Sequence, residues 1–195
     1  MALVQDGALV AGEFRQLGRG HAEALVPMIA SLPGQGRADR IAVGLGPGSF
    51  TGLRIGLAAA RALGLAWGAD VLGYPTLALI AAMAGGEVLV ATTGGHGEWF
   101  TQGFDASGAA TSALASQRPQ DAAAHAQPRV AGSQAEALIQ ARGFGEALPL
   151  WPDARALTKL SAEYFTRNLA PIYGRGADAR LPGGALPPPL APIAP

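Results

Sequence analysis

Alternating apolar and polar positions at the N-terminus predict a β-hairpin. Residues 2–14 read ALVQDGALVAGEF, with one apolar run on each side of Gln5-Asp6-Gly7. An Asp-Gly pair between two such runs is a strong signal for a two-residue hairpin turn. The first arm has barely three residues, whereas an average strand has about five or six. We therefore expect the chain to begin partway into a sheet.

Residues 21–32, HAEALVPMIASL, have the apolar spacing of an amphipathic helix. Ala22, Leu25, Ile29 and Leu32 fall on one face, as a period of 3.6 residues requires. Pro27 lies inside this segment, where the ring and the missing N–H predict a bend or a loss of about 3 kcal/mol.

A strand, a glycine-rich turn and a second helix follow over residues 41–68. Residues 41–45 predict a short buried strand, and the helix is expected to run from Ser49 or Phe50 to Trp67, where Gly68 ends it. The turn between them is crowded with glycine, which raises the question of whether it binds a phosphate.

The remaining pattern alternates strands and helices and predicts an α/β fold. We expect strands over residues 71–74 and 87–93, a hairpin of residues 98–104 and 110–116, and helices over 76–84, 134–141 and 154–168. Thr76 is the expected N-cap of its helix. The Gly85-Gly86 pair is expected to separate lobes of residues 1–84 and 85–180. Residues 181–195, LPGGALPPPLAPIAP, are expected to form a disordered tail because they are rich in proline and glycine.

Composition narrows the classes of function. The 195 residues are 49% apolar and carry 14 basic and 14 acidic side chains, with Lys159 as the single lysine. This balance provides no basic stripe for a nucleic-acid backbone, so if RNA is involved, we expect a partner to supply most of the phosphate contacts. The absence of cysteine excludes disulfides, thiolate metal sites and cysteine nucleophiles. No signal peptide or membrane span is recognisable, and we expect a cytoplasmic protein.

The glycine loop resembles three known loop motifs, but it lacks a residue or a spacing that each of them requires. It has no lysine, so it is not a phosphate loop. Its glycine spacing fits neither the dinucleotide fingerprint nor the nucleophile elbow. A weaker function remains, because free N–H groups at a helix N-terminus attract anions, and its residues would be Gly46, Gly48, Ser49, Thr51 and Gly52. The alternative, which we favour, is a tight turn in which Ser49 only caps the helix.

Small residues recur every fourth position along the second helix, at Gly52, Gly56, Ala60 and Gly64. Interior glycines destabilise a helix by about 1 kcal/mol each relative to alanine. Their presence here is explained if another backbone lies close to this side of the helix, where side chains would block it. The ridge could pack on the protein's own sheet or receive a helix from another chain, and the sequence alone does not choose between them.

No complete catalytic constellation is recognisable. His21, His96 and His125 are far apart and have no partner at metal-ligand spacing. No pair of carboxylates stands out for acid–base chemistry. We therefore expect no metal, no cofactor and no catalytic residue.

Three blocks resemble the TsaB family. GPGSFTGLRIG at residues 46–56, preceded by IAVGL, looks like its signature. HAEALVPMI at residues 21–29 is similar to the family's first helix, and PIYGRGADARLP at residues 171–182 resembles its C-terminal ending. The resemblance implies an actin-like (ASKHA) fold of two α/β lobes, with the predicted helix of residues 154–168 packing back on the first lobe.

The resemblance also implies a function. TsaB is the non-catalytic subunit that dimerises with the catalytic paralogue TsaD, which works with the ATPase TsaE to make N6-threonylcarbamoyladenosine in tRNA. The catalytic relative binds a metal through two histidines four residues apart on its first helix. The matching positions here are His21 and Leu25, so one ligand is missing.

The family's contact with TsaD lies on the first two helices, and the same surface self-associates, so a homodimer is expected to compete with the heterodimer. Carried onto this chain, the implied partner interface comprises Ala22, Leu25, Val26, Ile29, Leu53, Gly56, Leu57, Ala60 and Arg61.

One departure concerns the N-terminus. Family members begin with a strand that ends in Asp-Thr-Ser, whereas this sequence starts at the following hairpin. We expect a misassigned start, because deleting an interior strand would expose two sheet edges.

Two other classes of function remain open at this point. One is a small ASKHA-type phosphotransferase that binds a nucleotide at the glycine loop. The other is a peptidase of the glycoprotease group.

Overall fold

The N-terminal residues form the predicted hairpin. The computed structural model describes residues 1–17 and 20–174. Strand β1 (Ala2–Gln5) pairs antiparallel with β2 (Ala8–Gly12). Asp6 and Gly7 form the turn, both with positive φ, 52° and 76°, as the Asp-Gly signal predicts.

The first helix, α1 (His21–Ala30), contains Pro27 and ends two residues before the predicted Leu32. Pro27 is exposed, so its ring meets water rather than packed neighbours. The helix continues past it for three residues, and the Ser31 N–H donates to the Pro27 carbonyl oxygen at 3.0 Å.

The strand, glycine turn and helix are confirmed. Strand β3 (Arg40–Gly46) leads into α2 (Phe50–Trp67), and β4 (Asp70–Pro75) returns parallel to β3. Ser49 caps α2 by accepting a hydrogen bond from the Gly52 N–H, and Gly68 ends the helix in the left-handed conformation that glycine adopts most easily.

A five-stranded sheet follows the third helix, α3 (Thr76–Ala84). Its strands are β5 (Val88–Thr93), β6 (Trp99–Phe104), β7 (Ala115–Gln117), β8 (Arg129–Ala131) and β9 (Glu146–Leu148). Their spatial order is β7-β6-β5-β8-β9, in which β5, β6 and β7 pair antiparallel and β5, β8 and β9 pair parallel. Two further helices are α4 (Pro119–Ala122) and α5 (Ala135–Arg142).

Strand β5 divides the core between the two faces of this sheet. Val88 and Val90 belong to a cluster with Leu77–Ala81 of α3. Leu89 and Ala91 belong to a second cluster with α4 and α5. Because both faces are covered, β5 begins with four consecutive apolar residues rather than an alternating pattern.

The helix predicted over residues 154–168 is wrong. Ala154–Lys159 and Ala162–Tyr164 are two short 3₁₀ helices, and Leu160 between them has an extended backbone with φ −76° and ψ 131°. Leu160 is buried, and Leu157, Tyr164 and Phe165 pack against the cluster around α3. An apolar spacing of three to four residues fits successive 3₁₀ turns as well as an α-helix, so tertiary packing decided the conformation.

Three other local predictions were wrong or incomplete. Thr76 does not cap α3, which follows Pro75 without a side-chain cap. The strand predicted over residues 110–116 is confined to Ala115–Gln117, with one isolated bridge between Phe104 and Ala110. Strands β8 and β9 were missed because they are three residues long, too short for a periodic pattern.

The described strands form three sheets, β1-β2, β3-β4 and the five-stranded sheet. The division into lobes at Gly85-Gly86 stays a prediction. The tail predicted over residues 181–195 lies outside the described residues.

The small-residue ridge of α2 faces the protein's own β3–β4 pair. A Cβ added at Gly56 would lie 3.7 Å from Val43 Cγ2, an ordinary contact. A Cβ at Gly64 would fall well inside van der Waals contact of Val71 Cγ2. Ala60 between them is 5% exposed. Of the two alternatives for the ridge, packing on the protein's own sheet is the one observed.

Arg129 of β8 fixes the C-terminal end of α3. Its guanidinium donates to the carbonyl oxygens of Ala84, at 3.2 Å, and of Gly85, and its Nε donates to Glu146 Oε2 at 3.1 Å. The last carbonyls of a helix have no partner within the helix, and a cation there also interacts favourably with the helix dipole. Arg129 thereby ties α3 to the five-stranded sheet.

Alanine substitutions at the two ridge glycines should have opposite effects. Gly56→Ala should raise the free energy of unfolding by up to about 1 kcal/mol, because the helix gains a better former and the new methyl fits. Gly64→Ala should lower it by about 1–3 kcal/mol, because Val71 is stiff and must be displaced. Urea unfolding of both variants measures the difference, and two changes of the same sign would contradict the packing described.

Arg129→Met should lower the free energy of unfolding by about 1–3 kcal/mol, since the helix carbonyls lose a charged donor. Glu146→Gln is the control, because it removes only the exposed ion pair, for which about 0–1 kcal/mol is expected. If both variants lose the same free energy of unfolding, the hydrogen bonds from Arg129 to the helix carbonyls do not contribute to stability.

Candidate partner-binding surface and glycine loop

The glycine loop is held by bonds within the chain. The Gly46 N–H donates to Thr76 Oγ1 at 3.2 Å, and the Ile172 N–H donates to the Leu45 carbonyl oxygen at 2.7 Å. Gly46 has a φ of 104°, and a Cβ there would collide with the Ile172 carbonyl oxygen. Only glycine fits this position, because the returning C-terminal segment lies directly against it.

Ser49 acts as a cap, as the favoured alternative predicts. Its Oγ accepts from the Gly52 N–H at 3.3 Å. Gly48 and Thr51 are exposed, and a Cβ at Gly48 would meet nothing within 4 Å. Turn geometry and capping therefore account for these residues, and anion binding at the loop stays a prediction.

The structure sorts the predicted interface residues into three groups. Leu57 and Ala60 are buried, each 5% exposed, so they serve the core and are not accessible to a partner. The partly buried residues are Leu25, Ile29, Leu53 and Gly56, and the exposed ones are Ala22, Val26 and Arg61.

Sequence reasoning missed the large apolar side chain of α2 that is most exposed. Leu65 is 89% exposed, followed among the apolar side chains of both helices by Val26 at 63% and Phe50 at 52%. Ala58 and Ala62 are also exposed on α2. The helical spacing that links Ala58, Arg61 and Leu65 could have identified this face, but the more conspicuous glycine ridge pointed to the opposite one.

The C-terminal segment contacts α2 through Leu169 and Tyr173. The Arg54 guanidinium lies 3.7 Å from the centre of the Phe50 ring, and Phe50 and Tyr173 have ring centres 5.1 Å apart. Further along, Arg61 Nη2 donates to the Leu169 carbonyl oxygen at 3.3 Å. We use the name open face for four of the exposed apolar residues on these helices, Val26, Ala58, Ala62 and Leu65.

A cavity of about 810 Å³ lies between the hairpin and the β3–β4 pair. Leu25 and Ile29 of α1 line it, which explains why they are partly buried. Tyr74 also lines it, and burial raises the pKa of its hydroxyl to about 12. The Met1 ammonium also lines the cavity, and burial lowers its pKa. The lining also includes the charged side chains of Asp6, Arg40 and Arg167.

No group of three or more histidine, aspartate or glutamate side chains that could hold a metal ion occurs in residues 1–17 and 20–174. His125 Nε2 lies 2.9 Å from Gln117 Oε1, and His21 begins α1. Within the same ranges, no helix is long and apolar enough to cross a membrane.

A family model matches residues 15–150 of this chain, more than half of its length. The model is described as TsaD, tRNA N6-adenosine threonylcarbamoyltransferase. Uncharacterized proteins of Mycobacterium bovis and Mycobacterium tuberculosis are 37% identical over 172 residues, which cover 83% of this chain and 78% of each of theirs.

Two solved structures share the fold. One is YeaZ from Pseudomonas aeruginosa, with a TM-score of 0.72 and 24% identity over 88% of this chain and 92% of that one. The other is described as an uncharacterized protein with similarity to the peptidase YeaZ from the same organism, with a TM-score of 0.74 and 25% identity over 89% and 93%. The architecture is thus α/β of the actin-like (ASKHA) type. The chain belongs to the TsaD family, as a TsaB-type (YeaZ-like) member of it.

Proposed function

We propose that this chain is a non-catalytic subunit of the cytoplasmic machinery that makes N6-threonylcarbamoyladenosine in tRNA, and that it acts by dimerising with its TsaD paralogue. Membership of a family whose model is a tRNA-modifying transferase supports the pathway. A supporting role rather than catalysis is favoured by the described residues, which offer no metal cluster and use the glycine loop for internal bonds.

The observation that carries the proposal is the open face of α1 and α2. Leu65, near the C-terminal end of the amphipathic helix α2, is 89% exposed and leaves nearly its whole side chain in water. Burying such a side chain against a partner is worth about 1.5–3 kcal/mol. Ala58 and Ala62 beside it have short side chains, so a partner helix can approach closely.

The charge balance supports a division of labour in the proposed complex. The chain has 14 basic and 14 acidic side chains, so it has little net attraction for a polyanion. We therefore expect TsaD to provide most of the contacts to tRNA, and TsaE to reach this subunit through the complex rather than through a separate strong interaction.

Leu65→Asp should weaken binding to TsaD from the same genome at least tenfold, because it puts a charge where an apolar contact forms. The matched control is Leu9→Asp on β2, an apolar side chain that is 47% exposed outside α1 and α2. Titration calorimetry measures the affinity, and light scattering after gel filtration gives the mass of the complex. Since Leu65 lies in solvent, its variant should unfold at the wild-type temperature.

Three results would contradict the proposal. The first is that the wild-type chain and TsaD do not bind each other. The second is that Leu9→Asp weakens binding as much as Leu65→Asp does. The third is that the purified chain transfers the threonylcarbamoyl group without TsaD. Light scattering of the chain alone tests self-association. If the wild-type chain is a dimer and the Leu65→Asp variant is a monomer, the homodimer uses the same open face.

A further inference from the structure

Two arginines lie among the apolar residues on the exposed side of α2. Arg54 and Arg61 are both exposed, and they are seven residues apart, which places them on one side of the helix about 10 Å apart along its axis. Ala58 follows Arg54 by four residues, and Leu65 follows Arg61 by four. Residues at this spacing are neighbours on a helix surface. The two cations therefore belong to the same stripe as Ala58 and Leu65 of the open face.

The C-terminal segment holds both guanidinium groups in place. Arg54 lies 3.7 Å from the centre of the Phe50 ring, and its Nε lies 3.5 Å from the Tyr173 hydroxyl oxygen. Arg61 Nη2 donates to the Leu169 carbonyl oxygen at 3.3 Å. A guanidinium has five N–H groups, so each arginine keeps most of its donors for another group. Both cations are oriented before a partner binds, which reduces the entropy that binding costs.

These two positive charges have no counter-charge among the described residues. The groups that contact them are a ring, a hydroxyl and a carbonyl, all uncharged. The ion pairs of the described residues involve other arginines, such as Arg129 with Glu146 and Arg167 with Asp70. A carboxylate from outside the chain could therefore bind here without displacing one that is already present.

A second copy of this chain matches these charges poorly. Arg54 and Arg61 are the only charged side chains of α2, so arginine meets arginine wherever two copies of α2 pack together. Glu23 is the single acidic residue of α1, and one carboxylate against two arginines leaves an excess of positive charge. Like charges that face each other across an interface disfavour association.

We propose that Arg54 and Arg61 select the partner of the open face by charge. The occupant is a helix of the TsaD paralogue that presents two carboxylates about two turns apart to the arginines and apolar side chains to Leu65. Each carboxylate can accept two parallel hydrogen bonds from a guanidinium. A second copy of this chain is disfavoured at the same place.

This inference rests on the proposed dimerisation with TsaD and adds what decides between the heterodimer and the homodimer. The apolar contact around Leu65 contributes affinity, but an apolar face accepts any apolar partner of suitable shape. Specificity is a difference between two affinities, and repulsion of the wrong partner contributes to it as much as attraction of the right one. The two arginines supply both terms.

The test reverses both charges in the full chain with Arg54→Glu/Arg61→Glu. The matched control is Arg15→Glu/Arg118→Glu, which changes the net charge equally at two exposed arginines outside α1 and α2. Arg61→Gln removes one charge and keeps a donor for the Leu169 carbonyl oxygen, so it separates charge from local packing. Titration calorimetry measures affinity for TsaD from the same genome, sedimentation equilibrium measures self-association, and a thermal scan verifies that each variant is folded.

The wild-type chain should bind TsaD at least tenfold more tightly than it binds itself. Arg54→Glu/Arg61→Glu should weaken binding to TsaD at least tenfold, Arg61→Gln should weaken it less, and the control should leave it unchanged. Raising the salt from about 0.1 M to about 1 M should reduce these differences, because the screening length falls from about 10 Å to about 3 Å. An equimolar mixture of the wild-type chain and Arg54→Glu/Arg61→Glu should form more dimer than either chain alone, since arginines then face glutamates.

Three results would overturn the proposal. The first is that Arg54→Glu/Arg61→Glu binds TsaD as tightly as the wild-type chain does. The second is that the control weakens binding to the same extent. The third is that the mixture forms no more dimer than the separate chains. A wild-type chain that does not bind TsaD contradicts this inference and the proposed function together, whereas binding that ignores the charge reversal contradicts this inference alone.

Discussion

The close approach of α2 to the β3–β4 pair is the constraint on which the rest of this end of the molecule depends. No side chain fits between helix and sheet at Gly64, where Val71 occupies the space of a Cβ. This contact fixes the rotation of α2 about its axis. Once the glycine ridge faces the sheet, the helical period of 3.6 residues places Leu65 in water and Ala60 against the cavity.

The glycine loop follows from the same constraint. It must bring the end of β3 to the start of a helix that lies unusually close to the sheet, and it does so with Gly46 at positive φ and Ser49 as the cap. The C-terminal segment then packs across the loop through Ile172. Contacts within the chain thus account for Gly46 and Ser49 in this motif without a ligand.

Local signals in the sequence predicted the parts of this structure that local physics determines. The Asp6-Gly7 turn, the Ser49 cap and the Gly68 ending each depend on a few neighbouring residues, and each was confirmed. Residues 154–168 depend instead on what Leu160 packs against, and their apolar spacing did not distinguish two turn types. Leu57 and Ala60 were assigned to the candidate interface but are buried in this chain, because an apolar stripe does not indicate whether its neighbour is the same chain or another one.

The two sides of helix α2 have different roles. Its inner side packs on the β3–β4 pair at Gly64 and lines the cavity through Ala59, Ala60 and Leu63, and its outer side carries Leu65. Because the contact between Gly64 and Val71 fixes the rotation of α2, the position of the open face is set by the core of this chain and needs no partner to form it. A partner that binds there would meet a surface that is already ordered, and it would therefore lose less conformational entropy on binding.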